Sequence, residues 1–305
     1  MQIVRGLADF PGSEPLALAM GAFDGVHRGH QALLRSALAT GQPAWALTFD
    51  PLPRQVLGHP TEGLLTTLEE RLELLADLGL TGTIILPFNR EVAQQEPEDF
   101  LAQLLQVLRL HSLWVGHDFA LGRARRGDVA FLQQHALRHG YQLHTLAPVL
   151  WEGQPVHSSR IRRALLAGDL REANGCLGYP YRLRGPVGHG DGRGRQLGFP
   201  TANVQVPAER LLPAYGVYLG LAHTPLGAFP TLINLGVRPT YPAAAPLVEA
   251  YLLDFSADLY GTTVTLDLWQ RLRPELRFSS AQELCAQMER DLAQARELLK
   301  HTPGF

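Results

Sequence analysis

The sequence predicts an α/β domain built on a parallel sheet, followed by a small antiparallel β-barrel closed by a terminal helix. Three observations predict it. The first half alternates short apolar runs with amphipathic segments, the texture changes at about Tyr179-Pro180-Tyr181 to clustered glycines and alternating strands, and the chain closes on a capped amphipathic stretch. The parallel-sheet domain is therefore expected over residues 1–180 and the barrel domain over 181–305.

In the first half, apolar runs starting at Leu16, Trp45, Thr83, Ser112 and Leu143 read as five strands. Helical periodicity fills 28–39, 67–78, 97–109 and 128–139, with Pro97 placed to start the third helix and Gly79 and Gly140 to end the second and fourth. Strands alternating with helices imply a parallel sheet covered on both faces, whose ligands sit at the carboxyl ends of the strands. A further helix is expected over 157–167. In the second half GVYLGLAH, PTLINLGV, LVEAYLLDF and TTVTLDLWQRL read as strands. Val264, Leu266 and Leu268 alternate there with Thr263, Thr265 and Asp267, which is the period of a half-buried strand. Ser280 and Glu283 form a capping box for the last helix, which is lined by Leu284, Met288, Leu292, Ala295 and Leu299.

Composition narrows the chemistry. The 305 residues are 46% hydrophobic, enough for two cores, and 27 basic against 29 acidic residues leave a formal charge of −2, so no nucleic-acid partner is expected. Cys176 and Cys285 are far apart and fit neither a disulfide framework nor a structural zinc site. No basic segment followed by an apolar run opens the chain and no stretch approaches the roughly 20 apolar residues of a membrane span, so a cytoplasmic location and no membrane partner are expected. Lys300 is the only lysine. A Walker A loop and a kinase strand lysine are thereby excluded, and phosphate must be handled by Arg, His, backbone amides or metal.

Two segments could do so in the first half. Gly21-Ala-Phe23-Asp24-Gly-Val-His27-Arg-Gly29-His30 leaves the first strand and enters the first helix, where backbone amides form an anion site and a glycine allows a phosphate close approach. His27 and His30, three apart, can share a face of the opening turn, although alone the motif also fits two histidines decorating a turn. Val156-His157-Ser158-Ser159-Arg160-Ile161-Arg162 follows the fifth strand and opens a helix, offering serines for capping or phosphate and an arginine fork one turn on. Taken together, HxGH after strand one and SSxxR after strand five resemble the HxGH nucleotidyltransferase superfamily, whose fold is Rossmann-like and whose members transfer a nucleotide and release pyrophosphate. Leu47–Arg54, Leu65-Thr66-Thr67 with Glu70-Arg71, and Val115–Gly122 with Gly127-Asp128 extend this to the FMN adenylyltransferase module of the prokaryotic bifunctional riboflavin kinase/FAD synthetase family. The resemblance implies that His27 and His30 serve adenylyl transfer, that Gly21, Phe23, Asp24, Gly29, Asp118, Ser158, Ser159 and Arg162 bind ATP or its phosphates, and that Phe49, Asp50, Pro51 and Phe119 bind the flavin.

The second half carries the other signature. Gly185–Asn203 places five glycines between 188 and 198, a backbone that can approach phosphate closely, and then Thr201 and Asn203, hard oxygen ligands two residues apart on an extended segment. This stretch resembles the riboflavin kinase signature, as do Gly236-Val-Arg238-Pro239-Thr240, Val248–Phe255, Asp258-Leu-Tyr260-Gly261 and Leu272-Arg273-Pro-Glu275 with Phe278. The resemblance implies Mg2+ at Thr201 and Asn203, ATP bound also by Gly188, His189 and Gly190, and Glu249 as the general base toward the substrate hydroxyl.

The implied activity is phosphorylation of riboflavin to FMN, then adenylylation of FMN to FAD, with riboflavin, FMN and ATP as partners and Mg2+ as cofactor. Self-association is left open. The family pattern is broken at Ala22, Leu121, His157 and Tyr251, where Asn, Phe, Ser and His are usual; three of the four fall in the first half. A kinase whose first module is inactive or repurposed, and a flavin- or nucleotide-sensing protein without turnover, are the rival readings.

Overall fold

The computed structural model describes residues 1–58, 63–189, 194, 197–237 and 247–301. Gly190, Gly192, Arg193, Arg195, Arg238, Pro239 and Thr240 lie outside the described residues. The chain divides into two compact units, Met1–Ser158 and Ser159–Phe305.

The first unit holds a six-stranded, all-parallel sheet of β1 (Gln2–Arg5), β2 (Leu16–Met20), β3 (Ala44–Asp50), β4 (Gly82–Pro87), β5 (Leu110–Gly116) and β6 (Gln142–Leu146) in the order β1-β4-β3-β2-β5-β6. The five expected strands are present. The sixth, β1, is an edge strand of four residues with only Val4 buried, too short and too exposed to carry a periodic signal.

Large and small residues alternate along the central strands, so the two faces of the sheet differ. Leu16, Leu18, Met20, Trp45 and Leu47 point to one face and pack with Phe100, Leu101, Leu104, Leu132 and Ala136 from α5 (Pro97–Val107) and α6 (Val129–His139). Ala17, Ala19, Ala44 and Ala46 line the other, where Leu33, Leu34, Ala37 and Leu75 of α1 (Arg28–Leu38) and α3 (Leu68–Asp77) pack against them. Two short helices, α2 (Pro53–Val56) and α4 (Arg90–Gln94), were not legible as periodic segments. Thr67 and Glu70 make a reciprocal capping box at the start of α3, Asp128 caps α6, and Gly140 ends it in the left-handed conformation at φ 77°. Chain order along the sheet reverses between β2 and β5, which places the binding crevice beyond the carboxyl ends of these two strands.

After a small hairpin, β7 (Leu150–Trp151) with β8 (Gln154–Pro155), come α7 (Ser158–Ala167) and α8 (Leu170–Leu177). The second unit is a closed barrel of six antiparallel strands: β9 (Tyr181–Gly188), β10 (Ala202–Val204), β11 (Gly216–Thr224), β12 (Gly227–Gly236), β13 (Leu247–Leu252) and β14 (Thr263–Pro274), in the order β10-β13-β12-β11-β14-β9. Closure leaves no sheet edge to protect. Helix α8 is seated on the barrel wall by Asn174, whose amide donates to the Leu268 carbonyl at 2.9 Å and whose oxygen accepts from Tyr181 N at 2.8 Å.

The terminal helix α9 (Ala281–Lys300) is capped by Ser280, whose oxygen accepts from Glu283 N at 3.2 Å, while Glu283 returns the bond to Ser279 N rather than to Ser280. Its deepest residues are Ala295, as expected, and Asp291, which the apolar pattern skipped. Asp291 is buried because Arg273 of β14 grips both its oxygens, with contacts of 2.8 to 3.0 Å, and Gln287 adds a third donor.

Candidate functional site

The turn after β2 is built to hold two imidazoles together. His27 is the N-cap of α1, its Nδ1 accepting from His30 N at 3.3 Å, and the two rings stack with centroids 3.6 Å apart. Phe23 meets the His30 ring edge-on at 5.3 Å. A side chain at Gly29 would press on the His27 ring at 3.2 Å, and one at Gly21 would press on the Phe23 ring at the same distance. The glycines thus let the rings close over the backbone. Gly25 takes φ 82°, while Phe23 and Val26 are held at φ 50° and 33°, so the turn is strained at two non-glycine positions.

Asp24 and Arg71 hold that strain. Both are buried. Asp24 Oδ1 accepts from Leu65 N at 3.0 Å and Thr66 N at 3.1 Å, and Gly25 N donates to Thr66 Oγ1 at 3.0 Å, stitching the histidine turn to the segment before α3. Arg71 Nη1 donates to the Ala22 carbonyl at 3.3 Å, Thr48 Oγ1 at 3.0 Å and the Phe49 carbonyl at 3.0 Å. One guanidinium therefore fixes the ends of both β2 and β3. Sequence reasoning assigned Arg71 no role, yet the signal was present: with Leu68, Leu72 and Leu75 it occupies the apolar stripe of α3, where a charge has no place unless it has partners.

His30 keeps some surface exposed, but its Nδ1 is sealed from solvent and has no hydrogen-bond partner. Burial first, then the positive fields of His27 and Arg71, hold its pKa well below the ordinary histidine value. The imidazole is neutral at neutral pH. Burial also lowers the Arg71 pKa, against the opposing pull of Asp24, Asp50 and Glu69.

Ser158, at the start of α7 and the last residue of the first unit, donates from Oγ to the Asp24 carbonyl at 3.2 Å, which ties this serine to the histidine turn. Ser159 is exposed and Arg162 is buried one turn along the same helix, in the second unit. Asp118 lies at the end of β5, across the crevice position from β2; its side chain is exposed, with His117 Nδ1 at 4.0 Å. Phe49 packs edge-on to Phe88 at 5.5 Å and, with Phe119 and Leu121, lies against the core. The Asp50-Pro51 peptide is cis. His157, in the departing position, is exposed, 6.5 Å from the His117 ring.

In the barrel the register assembles the site. Asn203 of β10 stands directly opposite Glu249 of β13, and also opposite Gly188 of β9. Directly opposed residues of antiparallel strands share a face with their Cβ atoms roughly 4.5–5.5 Å apart, so the expected ligand and the expected base are neighbours. Asn203 Oδ1 is buried without a hydrogen-bond partner, an oxygen left for a cation. A side chain at Gly194 would come within 2.5 Å of the Phe199 carbonyl and 3.3 Å of Thr201 Oγ1, so the chain folds back over Thr201 only because residue 194 is glycine. His189 stacks on Tyr260 with centroids 4.2 Å apart, and Tyr251, the other departing residue, meets Phe199 edge-on at 5.5 Å. Glu249 is half-buried.

Comparison with known proteins matches both halves. The FAD synthetase family model covers residues 11–160 and the riboflavin kinase family model residues 177–299. Curated proteins described as bifunctional riboflavin kinase/FMN adenylyltransferase are 36% identical in Escherichia coli strain K12, over 97% of each chain, and 36% identical in Pseudomonas fluorescens, over 98% of each. The chain belongs to the bifunctional riboflavin kinase/FMN adenylyltransferase family. The family relation extends to Bacillus subtilis, at 34% identity over 91% of this chain and 90% of that one. A crystal structure from Streptococcus pneumoniae, described as a macrolide-efflux protein, superposes with a TM-score of 0.88 at 26% identity, covering 97% of this chain and 99% of that one. Among the described residues of this family member, no helix is long and apolar enough to cross a membrane.

Proposed function

We infer that the chain phosphorylates riboflavin to FMN with ATP and then adenylylates FMN to FAD with a second ATP. The observation that carries this reading is the pairing of Asn203 with Glu249 across β10 and β13 in one unit and of His27 with His30 at the switch point of the other. Each half of a two-step pathway has its own chemistry. In the kinase step Glu249 accepts the proton of the terminal ribityl hydroxyl as that oxygen bonds to the γ-phosphorus and the bond to the bridging oxygen of ADP breaks. Thr201 Oγ1 and Asn203 Oδ1 would hold magnesium, which neutralises phosphate charge when bound. Gly188, His189 and Gly190 take part in binding this ATP.

In the second step a phosphate oxygen of FMN bonds to the α-phosphorus of ATP and pyrophosphate leaves. The nucleophile is already ionised, so the protein needs no strong base there; His27, neutral His30, Gly29 and Ser158 orient the phosphates and meet developing charge, and Gly21, Phe23 and Asp118 are assigned to ATP on the sequence resemblance. Ser159 and Arg162 are assigned to phosphate on the sequence resemblance. Asp24 acts chiefly by holding the turn, since its Oδ1 is committed to Leu65 and Thr66. Phe49, Asp50, Pro51 and Phe119 are assigned to the flavin. We place the division between activities at about residue 180 and the protein in the cytoplasm. Incubation of the purified chain with riboflavin, ATP and Mg2+ tests the reading: FMN forms first and FAD with pyrophosphate follows. FMN accumulating without FAD leaves a kinase alone, and no product at all sinks both assignments.

A further inference from the structure

The row of residues that sets Asn203 beside Glu249 continues one strand further. Glu249 stands directly opposite Asn234 of β12 as well, so three side chains, Asn203, Glu249 and Asn234, lie side by side on one face across β10, β13 and β12. Asn234 is half-buried, and among the described residues its carboxamide makes no hydrogen bond to the protein. A carboxamide carries two donor hydrogens and an acceptor oxygen, and leaving all of them unspent in a half-buried strand position is uncommon without a ligand to use them. The next position on this face, Gly236, has no side chain: a Cβ there would come within 2.4 Å of Glu275 Oε1, so the glycine admits a second carboxylate to the same surface. The preceding position on this face is apolar, with Leu232 opposite Tyr251. The face therefore passes from an apolar pair to a polar row of carboxamides and carboxylates.

We propose that Asn234 recognises the polyol chain of riboflavin, hydrogen-bonding hydroxyls beside the terminal one that Glu249 deprotonates. Riboflavin is a flat apolar ring system carrying a chain of hydroxyls, and the apolar-to-polar succession along this face has the same order of chemistries. A hydroxyl both donates and accepts, as a carboxamide does, so Asn234 can meet the chain without a change of protonation state. Holding the inner hydroxyls fixes the terminal oxygen against Glu249, which converts binding into orientation. This inference rests on the kinase reading of the barrel.

The test uses the full chain with two substrates, riboflavin and a flavin whose ring carries a 5-hydroxypentyl chain, which keeps the reacting hydroxyl and lacks the inner ones. Asn234→Ala is expected to raise the KM for riboflavin about tenfold, the size of one or two lost hydrogen bonds, while leaving the KM for ATP and the handling of the hydroxypentyl flavin near the parent values. Asn234→Ser, which retains a hydroxyl, is expected to recover part of the loss and serves in place of Ala if that variant does not fold. An unchanged KM for ATP in the kinase step and normal turnover of the hydroxypentyl flavin report an intact barrel in the same preparation. Equal losses on both flavins, or no loss on riboflavin, overturn the assignment. Failure of the parent itself to phosphorylate riboflavin would instead overturn the kinase reading.

Discussion

The two sites are built by opposite means. The histidine site of the first unit sits on a turn that is strained at Phe23 and Val26 and is held by buried charges, Asp24 on one side and Arg71 on the other. The Glu249 site of the second unit stands on antiparallel strands of the barrel, and simple cross-strand register puts its residues together. A site made by a braced turn depends on the buried residues that brace it. One made by register depends on the barrel as a whole, and a conservative substitution of a single half-buried member is expected to change chemistry with little effect on the fold.

The sharpest way to break this comparison is Glu249→Gln. The substitution keeps shape and hydrogen bonding but removes the proton acceptor, so kinase turnover is expected to fall roughly 10²- to 10⁴-fold with FAD formation from FMN unchanged. Thermal unfolding should move little. A near-normal rate of riboflavin phosphorylation by the folded variant would show that Glu249 is not the base.

Next comes the histidine turn. His30→Ala is expected to slow FAD formation from FMN roughly 10²- to 10³-fold while riboflavin phosphorylation continues, as for loss of a preorganised charge-stabilising contact. Comparable loss of both activities in a folded protein would refute the division of labour. The brace should respond differently: Asp24→Ala strips the acceptor from Leu65 N and Thr66 N, so a stability loss of about 1–3 kcal/mol should accompany weakened FAD formation. Denaturant melts read this directly, and an Asp24→Ala protein as stable as the parent would assign Asp24 to ligand contact alone.

The smallest effect is a pH dependence. Folding lowers the proton affinity of His30, so as pH falls below the ordinary histidine value of about 6.5 the unfolded chain takes up a proton that the folded one refuses. Stability is full above that pH and declines toward the depressed folded pKa, by at most about 1.4 kcal/mol per pH unit for one group. His135, also lowered by burial, contributes in the same direction. His30→Gln should flatten the decline without abolishing it, and an unchanged slope between pH 6.5 and 5 would mean that His30 does not titrate in this way.

Much of both sites was legible in the chain because local chemistry announces itself. The glycines and histidines of the first turn, the serine-arginine segment, the Thr201 and Asn203 spacing and the capping residues of the helices all lie within a few residues of one another, and local spacing is what sequence records. Helix α8 was equally legible, with Asp169 as its cap and Gly178 as its stop, and was passed over because the glycines and aromatic residues after it draw attention to a boundary. Strand β10 is different: it has only three residues and takes its form from its neighbours in the closed barrel, whereas the eight residues of β9 carry a legible period, with Tyr181, Leu183 and Val187 buried between Arg182, Arg184 and Pro186.

By itself the sequence determined the alternation of elements, the two texturally distinct halves, the near-absence of lysine, and the positions of the candidate phosphate-handling segments. Tertiary structure decided which of these residues meet. Arg71 bracing Ala22 and Phe49, Asp24 reaching Leu65 and Thr66, Arg273 gripping Asp291, and Asn203, Glu249 and Asn234 standing in one row all join residues at least 15 positions apart. Periodicity and capping act within a turn or two of chain. Burial of a charge and the register of strands are set by what packs from elsewhere, and so they appear only when the chain has folded.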